Sequence, residues 1–69
     1  MNNPTVAKVT ERERLVAVGI ANGKTYQQIA DQEGLGLETV RAHAASLRKK
    51  LQTNKAGIAA WAVREGFVT

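Results

Sequence analysis

Sixty-nine residues suffice for one domain with a thin core, since a chain of this size buries roughly 60% of the surface that it exposes when unfolded, and a partner is favoured. The chain has no cysteine, which excludes disulfides, thiolate metal sites and a cysteine nucleophile; one histidine and scattered acids argue against a metal centre, and no pair of groups has catalytic spacing. The formal charge of +4 lies wholly in residues 37–69, where Arg41, Arg48, Lys49, Lys50, Lys55 and Arg64 face only Glu38 and Glu65. A polyanionic partner accounts for that asymmetry, although a modest charge for solubility gives the same total.

Residues 1–9 are polar and interrupted by Pro4, which predicts a flexible arm in which Lys8 is the one candidate DNA contact. They lack the apolar centre of a secretory signal, and no apolar run has membrane-spanning length, so the cytosol is the expected compartment. Thr10 followed by Glu13 is a capping-box spacing and predicts a first helix over 11–21, with Leu15, Val16, Ala17 and Ile20 inward. Gly19 costs that helix up to about 1 kcal/mol relative to alanine, which marks either close packing of another element or a tolerated defect.

Asn22-Gly23 ends the first helix, and Thr25 with Gln28 starts a second over 25–32, with Ile29 and Ala30 as its buried pair. Tyr26 stands where the first turn of this helix can offer a hydroxyl to a DNA backbone or simply pack. Gly34 and Gly36 bracket Leu35 in a turn whose single apolar side chain plugs the core. A short helix, a glycine turn and a helix about twice as long form a helix-turn-helix arrangement.

The long helix is the segment around which the chain is organised. Over 37–51, Val40, Ala44, Leu47 and Leu51 recur at helical spacing on one stripe, while Arg41, Ala42, Ala45, Arg48 and Lys49 fall opposite. A major groove about 12 Å wide admits a helix whose leading face is slim, and the alanines supply that slimness. A solvated basic helix in a small bundle satisfies the same pattern. After the break at Gln52-Thr53-Asn54, a last helix is predicted over 55–65, closed by Gly66. Its apolar residues, Ala56, Ile58, Ala59, Ala60, Trp61, Ala62 and Val63, exceed what one inward face absorbs, so a homodimer through this helix is expected, with Ala56, Ala59, Ala60 and Val63 at the interface. Trp61 reads first as a core anchor, then as an interface anchor. His43 has no companion ligand or base and reads as a helix residue at the core edge, able to donate to a phosphate.

From Val9 to Val68 the chain resembles the LuxR/FixJ-type (GerE-like) helix-turn-helix domain, a four-helix, all-α DNA-binding module of bacterial transcription regulators. The resemblance rests on Thr10-x-Arg12-Glu13, Gly23-x-Thr25-x-x-x-Ile29-Ala30, Thr39-Val40-Arg41-x-His43, Lys50-Leu51 and Ala59-x-Trp61-Ala62-x-x-x-Gly66. It implies a domain over 10–69 that binds double-stranded DNA, with Arg41, Ala42 and Ala45 facing base edges. Thr39, His43, Arg48, Lys49 and Lys50, together with Thr25 and Tyr26, are expected on the phosphate backbone. The chain departs from the family pattern at Ala17, Gly19, Lys24 and Glu33, where leucines are usual, at Gly36 in place of a capping serine, and at Thr53 and Lys55 in place of valine and arginine. Glu33 is expected to point outward.

The leading expectation is therefore a homodimeric, sequence-specific transcription regulator, not an enzyme and without cofactor. Two alternatives stand beside it. One is an antiactivator that sequesters related LuxR-type regulators through helix 55–65. The other is a promoter-reading module like a sigma-factor region, partnered by RNA polymerase, because Thr25-Tyr26-Gln27-Gln28-Ile29-Ala30 resembles its second helix. The start at Met1 and the short tail predict a complete small product rather than a fragment.

Overall fold

A computed structural model describes residues 9–68, in which four helices follow one another: α1 (Glu11–Ala21), α2 (Tyr26–Glu33), α3 (Leu37–Leu51) and α4 (Lys55–Arg64). The expected spans of α1 and α3 stand as read. The second helix is displaced by one residue because Thr25 is its cap, and the fourth stops at Arg64 because Glu65 caps it. Most of the expected arm, residues 1–8, lies outside the described residues; Val9 packs against the core.

Local chemistry explains each boundary. Thr10 Oγ1 accepts from the Glu13 amide at 3.1 Å while Glu13 Oε1 accepts from the Thr10 amide at 2.9 Å, and Thr25 and Gln28 repeat this reciprocal cap at 3.1 and 2.8 Å. Asn54 caps α4 by accepting from the Gly57 amide, whereas Gly36, at the start of α3, has no side chain with which to cap. At the other ends, the amides that follow each helix turn back onto its last carbonyls. At α4, Gly66 takes φ +79° and donates to Val63, and Phe67 donates to Ala62, which satisfies carbonyls that the helix leaves open. At α3 the equivalent left-handed position is held by Gln52, with φ 53°, while Thr53 donates to Arg48 at 3.0 Å.

The core collects Val16, Ala17 and Ile20 from α1, Ile29 and Ala30 from α2, Val40, Ala44 and Leu47 from α3, and Ile58, Trp61 and Ala62 from α4. Leu35, from the glycine turn, and Leu51, from the end of the α3 stripe, pack at its edge, while Leu15 is only half-buried and contributes less than expected. Gly19 proves to be a close-approach position: a Cβ there would meet Ile29 Cγ1 at 2.6 Å, so the missing methyl is what lets α1 and α2 touch. Trp61 is a core anchor, 7% exposed, and meets Phe67 edge to face at 5.3 Å between ring centres. Arg14 lies over the other aromatic of that pair, Phe67, at 5.3 Å. Glu33 keeps partial exposure, so its carboxylate is not enclosed in the core.

Candidate nucleic-acid interface

The two faces of α3 are sharply divided. Val40, Ala44 and Leu47 have no exposed surface, whereas Arg41, Ala42, Ala45, Arg48 and Lys49 are all exposed, as is Thr39 at one margin. The inward stripe seats the helix on α1, α2 and α4 and leaves outward a face of two methyl groups flanked by three cations. Arg48 and Lys49 stand in the last turn, where positive charge also suits the negative end of the helix dipole. His43 is half-buried beside this face.

Lys50 differs from its two neighbours. A phosphate contact is the expectation for Lys50; its ammonium is directed to Glu13 of α1, at 2.7 Å from Oε1, and only 26% of its side chain is exposed. Glu13 is buried to 4% exposure, and its other oxygen accepts from the Ser46 hydroxyl at 2.6 Å. Burial pushes this carboxyl up, but hydrogen bonds from Lys50, Ser46 and the Thr10 amide, together with the Lys50 charge, outweigh it and hold the group at about 2. The physical reason is geometric: position 50 is turned toward α1, where a buried anion awaits a cation. The capping spacing identified Glu13 as a helix-start residue but gave no sign of this second role, since Ser46 and Lys50 are distant in sequence.

The start of α2 contributes groups that already have intramolecular partners. Thr25 is exposed with its hydroxyl oxygen accepting the Gln28 amide, and Tyr26 is half-buried with the Lys55 ammonium 4.4 Å above its ring. On α4 the expected interface residues separate into two kinds. Ala56, Ala60 and Val63 form an exposed stripe, with Val63 at 55% exposure, while Ala59 is partly buried against the core.

In the sequence Glu38 stands out only as an offset to the basic charge. It stands in the first turn of α3 on the same exposed stripe as Ala42 and Ala45, with 87% of its side chain exposed, and its carboxylate is 3.8 Å from the Arg41 guanidinium. The helical spacing from 38 to 42 to 45 was the available signal.

An eight-residue helix, a turn through Gly34, Leu35 and Gly36, and a fifteen-residue helix with a slim basic outer face define a helix-turn-helix domain of the four-helix kind. The family described as bacterial regulatory proteins, luxR family, matches residues 7–62, and the chain belongs to that LuxR family. The class is one of DNA-binding domains that serve transcription regulation. No individually curated protein matches the chain. Among the described residues, no helix is long and apolar enough to cross a membrane.

Proposed function

We propose that the protein is a homodimeric, sequence-specific regulator of transcription that inserts α3 into the major groove of double-stranded DNA. The observation that carries this reading is the exposed face of α3, where Ala42 and Ala45 permit close approach and Arg41, Arg48 and Lys49 supply the charge. Arg41 reads guanine through its O6 and N7 acceptors, a contact worth about 1–3 kcal/mol against a wrong base, while the alanines touch at most a thymine methyl. Arg48, Lys49, Thr39, Thr25 and the imidazole of His43 steady the phosphate backbone, with Tyr26 at the margin. Lys50 serves this face indirectly, by holding α3 to α1.

Dimerisation uses the α4 stripe of Ala56, Ala60 and Val63, whose small side chains let two copies of the helix approach closely. A two-fold pair of this kind places two recognition helices on two half-sites. The test is selection of bound duplexes from a random pool near physiological salt, with mass-resolved stoichiometry on the enriched site. A palindromic site occupied by two chains is the expected result. Failure of a folded protein to enrich any site would reject the reading.

A second reading, an antiactivator that pairs with a related regulator through α4, is favoured by one feature: Gly36 leaves α3 without a side-chain cap at the end that would enter the groove. Its distinguishing result is a stable heterodimer with such a regulator and no DNA retention by the protein alone.

A further inference from the structure

We propose that Glu38 is a specificity-determining residue of the recognition face: it accepts a hydrogen bond from a cytosine amino group in the base pair next to the guanine read by Arg41. This rests on the reading of α3 as the helix in the major groove.

The placement comes first. Glu38, Ala42 and Ala45 share one exposed stripe of α3, and Arg41 stands beside it. The two residues that follow Glu38 along the stripe end in single methyl groups, so the side chains nearest the first turn do not hold it away from the groove floor; Lys49, the next on that line, stands about three turns further along the helix. Residues three apart on a helix rise by about 4.5 Å, close to the roughly 3.4 Å between base pairs, so Glu38 and Arg41 address neighbouring pairs.

The chemistry then selects the base. An ionised carboxylate only accepts hydrogen bonds, and the major-groove edge offers donors at cytosine N4 and adenine N6 alone. Adenine also presents N7 beside its amino group, and that lone pair repels a carboxylate. Cytosine is therefore the match, and its partner guanine shows only acceptors.

Geometry explains how the anion coexists with Arg41. At 3.8 Å the pair is an ion pair longer than a hydrogen bond, so the carboxylate draws the guanidinium over the same stretch of groove while leaving its N–H donors available. On a duplex without a cytosine in register, Glu38 keeps its repulsion from the phosphates and gains no donor. The residue thus sharpens selection by penalising wrong sites as well as by rewarding the right one.

The experiment compares the full chain with Glu38→Gln and Arg41→Ala in the same random-duplex selection, and measures the affinity of each for one unselected duplex. Glu38 is exposed, and far-ultraviolet circular dichroism confirms that each variant retains its helices. The wild type is expected to select a cytosine column next to a guanine column. Arg41→Ala flattens the guanine column, whereas Glu38→Gln converts cytosine to adenine, because a glutamine amide pairs with adenine N6 and N7. Changing that cytosine to adenine in a fixed site costs the wild type about tenfold and favours the Glu38→Gln variant. The same variant binds the unselected duplex more tightly than the wild type.

Unchanged columns in Glu38→Gln, or a uniform loss of affinity on every duplex, would overturn the inference and leave Glu38 as a charge at the helix start. A guanine column lost in Arg41→Ala under that outcome keeps the major-groove reading intact. No enrichment by the wild type, with Arg41→Ala unchanged in binding, would overturn both.

Discussion

The Glu13 carboxylate of α1 and the Lys50 ammonium of α3 meet at 2.7 Å although they are 37 residues apart, and the same carboxylate closes the cap of its own helix on Thr10. One buried anion therefore fixes both the start of α1 and the seating of α3. Its folded acidity lies near 2, below the ordinary 4.5, so folding favours the ionised form. The stability that it contributes is fully present above about pH 4.5 and disappears as the pH falls toward 2. Roughly 3 kcal/mol is expected to be lost across that window. Urea unfolding at several pH values, on the wild type and Glu13→Gln, checks this: the variant is less stable at neutral pH and its profile is flatter in acid.

Lys49 and Lys50, adjacent in sequence, are expected to separate cleanly by salt dependence. Replacing exposed Lys49 by alanine should reduce the slope of log affinity against log salt by about one unit, the signature of a lost phosphate contact. Lys50→Met should leave that slope almost unaltered but lower the unfolding midpoint, because it strips the cation from buried Glu13. Fluorescence anisotropy over a salt series, paired with thermal unfolding, distinguishes the two.

Gln52 offers a stabilising change. It closes α3 in the left-handed conformation at φ 53°, a region that costs a residue with a Cβ more than it costs glycine. Gln52→Gly is expected to raise stability by about 0.5–1 kcal/mol, because relief of strain exceeds the added freedom of the unfolded chain. A higher denaturant midpoint at unchanged slope would bear this out.

Gly19 carries the opposite expectation from helix propensity. Alanine is the better helix former by up to about 1 kcal/mol, yet its methyl would press on buried Ile29 at 2.6 Å. Overpacking costs of about 1–3 kcal/mol exceed that gain, so Gly19→Ala should destabilise the protein. A raised thermal midpoint would refute the close-approach account.

The α4 stripe is tested by Val63→Asp, chosen because Val63 is exposed and its loss leaves the core untouched. Sedimentation equilibrium should then show monomers, circular dichroism should show native helicity, and occupancy of a palindromic site should fall from two chains to one. Unchanged dimerisation would move the interface elsewhere.

The amino-acid sequence by itself determined the four helices and the division of α3 into an apolar stripe and a basic one. Thr10 with Glu13, Thr25 with Gln28, and the glycines that end helices act within a few residues, so their effects are legible locally. The family resemblance, now shown over residues 7–62, was legible for the same reason, since its marks follow that local pattern. The departures from those expectations arise where one helix meets another. The alternatives for Gly19, close packing or defect, were decided only by the arrival of Ile29, and Ala59 was turned from the exposed stripe toward the core by the crossing of α4. Lys50 was drawn from the basic run to Glu13, because the direction of a long cationic side chain depends on the anion that another helix brings within reach, which spacing along one helix does not encode.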